Sequence, residues 1–287
     1  MTATYNELYM EARRRLRAVG VVEDQLEARE LICHASGKSR SEFLRDRFLY
    51  TSDGIAREME RLLRAREEGT PTAYLLGEWE FYGLTLTVTP DTLIPRPDTE
   101  TLVERAILAA KGVKESCRVL DLCTGTGCVG LAVASQVPGC RLLLGDLSEE
   151  ALKVAKQNVR RTCLRAAVGT AKLNALEPPP EGIGSFDVLV SNPPYISREE
   201  LPTLDHSVRD YEPLLALDGG EDGLDFYRAI SGKWKCVLRK GGRLLFEVGY
   251  TQADRVSAIL ERNGYRDITV TEDAAGIPRV VEGRNAD

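Results

Sequence analysis

Histidine is scarce in this chain, and the cysteines are scattered along it. The 287 residues include two histidines and seven cysteines, and no Cys-x-x-Cys motif occurs. Zinc sites need close clusters of these ligands, and disulfide frameworks need an even set of paired cysteines. We therefore expect no metal site, and we expect the cysteines to be reduced thiols in a reducing compartment.

The chain also lacks long apolar runs and an excess of positive charge. No stretch approaches the ~20 apolar residues of a membrane-spanning helix, and the first residues lack the basic head and the apolar centre of a signal peptide. The formal net charge is −6, which argues against a broad surface for nucleic-acid phosphates. We expect a cytoplasmic monomer that contacts neither membrane nor nucleic acid.

What the chain does contain is a change of pattern near residue 70. Before it, apolar residues recur at helical spacing between Leu8 and Leu63, which predicts a helical bundle in a domain over residues 1–72. Around Gly83 the pattern becomes that of a short β-hairpin. We assign this hairpin to a connector over residues 73–97.

Strand and helix patterns alternate from residue 98 onward. Such alternation is typical of α/β domains with a mostly parallel sheet covered by helices on both faces, and we place one over residues 98–287. Asp98 is the predicted cap of its first helix. The predicted strands cover residues 118–122, 141–145, 186–190, 243–248 and 265–270.

The segment Asn192-Pro193-Pro194-Tyr195 comes directly after one of these strands. Two successive prolines have no N–H for a sheet ladder, so the strand must end there. An asparagine side chain, a phenol and backbone carbonyls without nearby donors then stand together. Such a segment is an ordinary loop in one interpretation. In the other it offers acceptors and a flat ring to a planar group with N–H, such as an amide or amino nitrogen.

A second motif, Asp121-Leu-Cys-Thr-Gly125-Thr-Gly127-Cys-Val-Gly130, lies between a predicted strand and a predicted helix. Its three glycines fit the Gly-x-Gly-x-x-Gly fingerprint of nucleotide-like cofactors. Asp146 comes about 20 residues later at the end of the next strand, in position to bind ribose hydroxyls. The fingerprint alone does not choose between a nicotinamide dinucleotide and S-adenosylmethionine.

Two features favour S-adenosylmethionine. A pyrophosphate is bound by bare amides at a helix N-terminus, whereas a cofactor with a positive sulfonium is favoured by a nearby carboxylate such as Asp121. The proline segment at Asn192 decides the choice, because an N-methyltransferase uses an acceptor-lined cradle for nitrogen and a dehydrogenase does not.

In these motifs the chain resembles the class I S-adenosylmethionine-dependent N-methyltransferases, and more narrowly the release factor glutamine methyltransferases of the HemK/PrmC family. The segment Ile94–Glu100 supports the narrower match, because it separates this family from DNA adenine methyltransferases that share the Asn-Pro-Pro-Tyr signature. Further matching segments are Ala216–Gly223, Phe246–Gly249 and Gln252.

The resemblance implies a class I methyltransferase fold. This is an α/β fold with a Rossmann-like, mostly parallel seven-stranded sheet, preceded here by a small helical-bundle domain and a β-hairpin connector. The implied activity is N5-methylation of the glutamine in the Gly-Gly-Gln motif of class 1 peptide-chain release factors, with S-adenosyl-L-methionine as the methyl donor. The helical domain would bind the release factor.

The resemblance also assigns roles to individual residues. Cofactor binding falls to Asp121, Cys123, Thr124, Gly125, Thr126, Gly127, Asp146 and Asn192. Substrate binding falls to Asn192, Pro193, Pro194 and Tyr195, with Glu247 as a further candidate for the pocket wall or, alternatively, a partner of a lysine or arginine. Within this set the expected catalytic residues are Asn192, Pro193 and Tyr195, which would hold and orient the amide.

The sequence departs from the family pattern at two places. Cys123 stands where the family usually has glycine, and residues 170–174 lack the Asp-aromatic pair that covers adenine, so Leu173 is the single adenine contact we offer. Three alternatives stay open. They are adenine N6-methylation of nucleic acid, cofactor binding without catalysis, and a nicotinamide-dependent dehydrogenase.

Overall fold

The computed structural model describes residues 3–113 and 116–287. The chain divides into two compact units, Met1–Gly77 and Glu78–Asp287. The hairpin belongs to the second unit. The division into a recognition domain, a connector and a catalytic domain stays a prediction. Among the described residues, no helix combines the length and apolar character that crossing a membrane would require.

The first unit is a helical bundle. Its helices are α1 (Tyr5–Ala18), α2 (Asp24–Ser36), α3 (Arg40–Asp46), α4 (Asp53–Glu67) and α5 (Thr72–Leu76). Thr4 and Glu7 form a capping box at the start of α1, and the Ser52 hydroxyl accepts a hydrogen bond from the Ile55 N–H at the start of α4. Apolar residues at helical spacing, such as Leu16, are fully buried between the helices. The predicted bundle is therefore confirmed, and α3 and α5 are additions to it.

The second unit begins with the hairpin of β1 (Glu78–Phe81) and β2 (Leu84–Thr87). Its remaining strands are β3 (Arg118–Leu122), β4 (Arg141–Asp146), β5 (Ala167–Lys172), β6 (Phe186–Ser191), β7 (Leu238–Glu247), β8 (Tyr265–Glu272) and β9 (Pro278–Asn285). Its helices are α6 (Glu100–Lys111), α7 (Cys128–Gln136), α8 (Glu149–Thr162), α9 (His206–Arg209), α10 (Asp225–Lys233) and α11 (Ala253–Arg262). Short 3-10 turns occupy Pro97–Thr99, Leu201–Thr203, Leu214–Ala216 and Lys235–Val237.

The seven strands β3 to β9 form one sheet in the order β5-β4-β3-β6-β7-β9-β8. The pairs among β3, β4, β5, β6 and β7 are parallel, and β9 is antiparallel to both of its neighbours. The expected mostly parallel, seven-stranded α/β sheet is confirmed. The strand order reverses between β3 and β6, which opens a crevice at their carboxyl ends.

Helices cover both faces of this sheet. Successive residues of β3 point to opposite faces, so Val119 joins the core under α6, α7 and α8, whereas Leu120 joins the core under α10 and α11. Both residues are fully buried. Because β3 and β6 are buried on both faces, they hold the loops after them on a rigid base.

The sequence patterns missed β5 and β9 and misplaced one cap. β5 is an edge strand without a fully buried residue, and β9 buries two charged residues, Arg279 and Glu282, that form ion pairs. Asp98 does not cap α6, because it lies inside the 3-10 turn that precedes this helix and pairs with Arg279 at 3.0 Å. The cap prediction was therefore wrong, and the carboxylate ties the turn to β9 instead.

Candidate active site

Two loops meet where the strand order of the sheet reverses. Leu122 at the end of β3 lies opposite Ser191 at the end of β6, so the loops after these strands leave the sheet at the same level. Both loops line one cavity. Nine of the predicted site residues line it, namely Asp121, Cys123, Thr124, Gly125, Thr126, Asp146, Leu173, Asn192 and Pro194. Gly127, Pro193, Tyr195 and Glu247 are not part of this lining.

Asp121 holds the glycine loop in shape. Its Oδ2 accepts hydrogen bonds from the Thr124 hydroxyl at 2.6 Å and from the Gly130 N–H at 2.9 Å. Burial raises the pKa of this carboxyl to about 7, although these two hydrogen bonds act in the opposite direction. Asp121, which precedes the glycines in the sequence, therefore connects the two ends of the loop.

Asp146 joins the same loop from the end of β4. Its Oδ2 accepts from the Gly125 N–H at 2.8 Å, and its Oδ1 accepts from the Ser148 N–H at 2.9 Å. Burial raises the pKa of this carboxyl, and the backbone hydrogen bonds counteract the effect. Each carboxylate oxygen has two acceptor positions, so both oxygens keep one for a further donor. This arrangement suits a pair of neighbouring hydroxyls.

The loop combines a close helix contact with an unusual backbone conformation. A β-carbon at Gly130 would lie 2.6 Å from Leu144 and 3.0 Å from Asp121, so only glycine lets α7 pack this closely on the sheet. Cys123 has φ of +62°, in the left-handed region of backbone conformation. Residues with a side chain rarely adopt this region, whereas glycine adopts it freely. The departure from the family pattern therefore falls at a position whose backbone favours glycine.

Asn192 is tied to Thr99 and Glu247. The Asn192 Nδ2 donates to Thr99 Oγ1 at 3.3 Å. Burial raises the pKa of Glu247 to about 7, while hydrogen bonds from Thr99 and Asn192 and the charge of Arg279 lower it. Glu247 is 2% exposed, and its Oε2 has no hydrogen-bond partner within the described residues. The sequence indicated the importance of the Ile94–Glu100 segment but not this contact of Thr99.

The backbone at the end of the proline segment is held by residues that come later in the chain. The Gln252 Nε2 donates to the Tyr195 carbonyl at 2.9 Å, and its Oε1 accepts from the Gly249 N–H at 3.1 Å. A β-carbon at Gly219 would lie 2.7 Å from the Tyr195 Cα. The two downstream segments that support the family resemblance thus act on the backbone of Tyr195.

Beyond Asp146 the cavity wall is mainly apolar. Leu173 comes directly after β5, its N–H donates to the Asp146 carbonyl at 2.9 Å, and its side chain packs in the core below the cavity. The further lining residues here are Leu147, Asn174, Ala175 and Leu176, and α10 contributes Phe226. Leu173 was the contact predicted from the sequence. Leu147 was missed, although its position directly after Asp146 was a usable signal.

An ion pair between a partly exposed arginine and a buried carboxylate lies at another part of the cavity wall. Arg96 donates to Glu212, which is 5% exposed and lies in the loop before the Leu214–Ala216 turn. Burial raises the pKa of Glu212, whereas Arg96 lowers it. Arg96, Pro213, Leu215 and Ala216 all line the cavity. The pair therefore connects two cavity-lining segments that are far apart in the chain.

Comparison with known proteins adds relatives over the whole chain. The family model described as PrmC N-terminal domain matches residues 7–77, and that described as Methyltransferase small domain matches residues 99–208. A release factor glutamine methyltransferase from Agrobacterium fabrum is 38% identical over 286 residues, which cover 98% of each chain. One from Clostridium acetobutylicum is 39% identical over 251 residues, which cover 88% of each chain.

A solved structure resembles the fold. The crystal structure of a methyltransferase from Pyrococcus furiosus is 18% identical in sequence and has a TM-score of 0.51. The match covers 72% of this chain and 91% of that chain. At this identity the likeness concerns the fold alone.

Proposed function

The chain belongs to the release factor glutamine methyltransferases, and we propose that it catalyses the reaction for which these relatives are named, on the side-chain amide of a glutamine in a release factor. The observation that carries the proposal is the cavity itself, in which the Asn192 amide and the glycine loop after β3 line one space. A glutamine amide and a cofactor that are bound side by side in this cavity would therefore contact Asn192 and the glycine loop, respectively.

We further propose S-adenosyl-L-methionine as the methyl donor. When bound, it supplies an electrophilic methyl group on a sulfonium centre. The residues present fit this molecule, because Asp146 keeps acceptor positions for ribose hydroxyls and the carboxylates of Asp121 and Asp146 lie near the loop. In this assignment Cys123, Thr124, Gly125, Thr126 and Gly127 surround the amino-acid end, and Leu173 and Leu147 lie against the adenine.

The glutamine amide would be held by the segment after β6. The Asn192 Oδ1 and the Pro193 carbonyl accept its two N–H groups, Pro194 and Tyr195 pack on the amide plane, and Glu247 stands behind Asn192. An amide nitrogen is a poor nucleophile, because its lone pair is delocalised into the carbonyl. Two acceptors on its hydrogens orient the nitrogen and stabilise the positive charge that develops on it.

The chemical step needs no strong base. The nitrogen lone pair would form the new N–C bond in line with the S–C bond of the bound donor, which would supply the methyl group and retain the electron pair of the S–C bond. The nitrogen would then carry one proton too many, which would pass to a water molecule after the transfer. Asn192, Pro193 and Tyr195 act by orientation and by electrostatic stabilisation, which are the large terms in such a reaction.

We assign the Gly-Gly-Gln glutamine of class 1 peptide-chain release factors as the target. The helical residues 1–72 would bind the release factor, residues 73–97 would connect, and residues 98–287 would catalyse the transfer. The match of residues 7–77 to the PrmC N-terminal domain supports a shared role for this part. The net charge of −6 supports a protein substrate rather than nucleic acid. We infer a monomer that acts in the cytoplasm.

A labelling assay tests this function. Purified protein is incubated with S-adenosylmethionine that carries a labelled methyl group and with a class 1 release factor. We expect label on the release factor and none on the same factor with alanine in place of the tripeptide glutamine. Label that persists on the alanine variant would contradict the assignment of this glutamine as the target. Label on DNA or RNA instead would favour adenine methylation.

A further inference from the structure

Arg279 on β9 contacts two segments that are far apart in the chain. Its Nη2 forms an ion pair with the Asp98 Oδ2 at 3.0 Å, in the 3-10 turn before α6. Its Nε and Nη2 also donate to the Asp273 Oδ2, at 3.3 Å and 3.2 Å, in the turn between β8 and β9. Arg279 is 9% exposed, so its buried charge requires such partners. One guanidinium therefore connects the turn before α6 to the edge of the sheet.

The sheet holds this guanidinium in place without any help from Asp98. The Arg279 carbonyl accepts from the Val248 N–H at 2.9 Å. The Asp273 Oδ1 accepts from the N–H groups of Ala275 and Ile277, at 2.9 Å and 3.1 Å, so the carboxylate below the guanidinium is fixed by its own turn. Arg279 is thus anchored through its backbone and through Asp273, and it offers a fixed partner to the turn before α6.

That turn carries a residue that contacts Asn192. Thr99 follows Asp98 directly, is 2% exposed and lines the cavity. Its Oγ1 accepts from the Asn192 Nδ2 at 3.3 Å. Neither Asp98 nor Arg279 belongs to the cavity lining. The contacts from Arg279 to the cavity therefore run through Asp98, Thr99 and Asn192 in turn.

We propose that Arg279 is a positioning residue, which holds the Pro97–Thr99 turn on β9 and thereby keeps the Thr99 hydroxyl in contact with the Asn192 amide. The proposal rests on the proposed function, because Asn192 needs a fixed orientation only if it orients a substrate amide. A hydrogen bond at one end of the Asn192 amide opposes rotation of this side chain. A displacement of about 1 Å in a group that orients the substrate lowers turnover by up to about a hundredfold.

The exposure of Asp98 separates this role from a general contribution to stability. The Asp98 side chain is 52% exposed, and ion pairs in such surroundings contribute little to the stability of the folded state. We therefore expect Asp98→Ala to leave the midpoint of urea unfolding nearly unchanged. An effect of this variant on Asn192 and on turnover then reports on the position of the turn.

The first test observes the Asn192 side chain in the free protein. The chain has six asparagines, so selective ¹⁵N-asparagine labelling gives a small set of side-chain NH2 signals, and the Asn192→Ala variant assigns the relevant pair. Thr99→Val removes the acceptor and shows where these signals lie without the contact. We expect Asp98→Ala and Arg279→Lys to move the signals toward the same positions. Lysine keeps the charge but lacks the planar fork of donors that reaches two carboxylates.

A control variant breaks another ion pair on the same strand. Arg284 on β9 pairs with Asp267 at 2.6 Å, and the Asp267 side chain is 58% exposed, close to the 52% of Asp98. Arg284→Ala should leave the Asn192 signals in place. Signals that stay unchanged in Asp98→Ala and Arg279→Lys, or that move equally in Arg284→Ala, would overturn the proposal.

The second test uses turnover on a release factor. We expect Asp98→Ala to lower kcat on the order of tenfold at an unchanged KM for S-adenosylmethionine, and Asp98→Glu, which keeps the carboxylate, to recover most of it. In the Asp98→Ala background, Arg279→Lys should cause little further loss, because its contact with the turn is already gone. Losses that multiply in the double variant contradict the route through Asp98. If the Asn192 signals respond as expected but the wild type methylates no release factor, the positioning role is supported and the proposed function is contradicted.

Discussion

Gly223 approaches the backbone of Tyr195 so closely that a β-carbon at position 223 would lie 2.4 Å from the Tyr195 carbonyl oxygen. The same position has φ of +73° and would bring that β-carbon to 2.7 Å from Gln252 Nε2. The Gln252 side chain donates to the same carbonyl. A glycine and a glutamine from separate segments thus determine where the proline segment ends.

The first prediction concerns this contact. Gly223→Ala should destabilise the second unit by about 1–3 kcal/mol more than Gly182→Ala, because the added methyl group meets a backbone carbonyl. Gly182 is a matched control, since its φ is +78° and a β-carbon added there would have no described atom within 4 Å. Urea unfolding followed by tryptophan fluorescence measures the difference, because Trp79 and Trp234 both belong to the second unit. Equal losses would show that only the backbone angle matters.

The second prediction concerns the amide cradle. Asn192→Ala should lower kcat by about a hundredfold, because one of the two acceptors on the substrate amide is lost. The far-ultraviolet spectrum and the unfolding midpoint should change little, since the residue is only half-buried. Asn263→Ala is the control, because Asn263 bonds to Ser231 rather than to any residue of the cavity. Near-normal turnover in Asn192→Ala would exclude the cradle.

The third prediction concerns the pH dependence of stability. Asp121 has a pKa raised from 3.8 to about 7 by burial, so its stabilising contribution is complete below 3.8 and is lost as the pH rises through about 7. Asp121→Asn should therefore gain stability relative to the wild type over this window, by at most about 1.4 kcal/mol per pH unit. Urea unfolding at several pH values measures it. The exposed Asp254→Asn variant should show no such trend, and a flat difference for Asp121→Asn would refute the assignment.

The fourth prediction concerns the methyl donor. Asp146→Ala should weaken binding of S-adenosylhomocysteine by on the order of tenfold to a hundredfold, because it removes acceptors for the ribose and the anchor of the Gly125 N–H. Titration calorimetry measures the affinity. Glu150→Gln, which alters an exposed carboxylate at the start of the next helix, should bind normally. Unchanged affinity in Asp146→Ala would mean that the ribose lies elsewhere.

Much of the fold could be predicted from patterns that burial imposes on the chain. The strands β3 and β6 were predicted because they are buried on both faces and read as apolar runs. The pattern of β9 was not recognised because two of its buried positions carry Arg279 and Glu282, which pair with Asp98 and Arg105 from distant segments. Sequence patterns reveal buried positions that are occupied by apolar residues. They do not reveal buried positions whose charged residues depend on an ion pair.

The candidate site was predictable in its parts. The glycine loop, Asp146 and the proline segment are each recognisable from a few residues that are close in the sequence. The residue types and their spacing were therefore sufficient to predict them as candidates. Thr99 and Gln252 were quoted only within matching segments, without a role. Their function depends on what they touch, and each touches the proline segment across a large separation in the chain.

The sequence by itself determined where β6 stops and that an acceptor-rich segment comes after it, because two prolines without N–H groups end a sheet ladder in any fold. It also determined the family through motifs that are local. Only the tertiary structure decided that β3 and β6 are neighbours, which brings Asp121 and Asn192 to one cavity. It also decided that Glu247 is buried against Asn192, since the pKa of a carboxyl depends on the groups that packing puts around it.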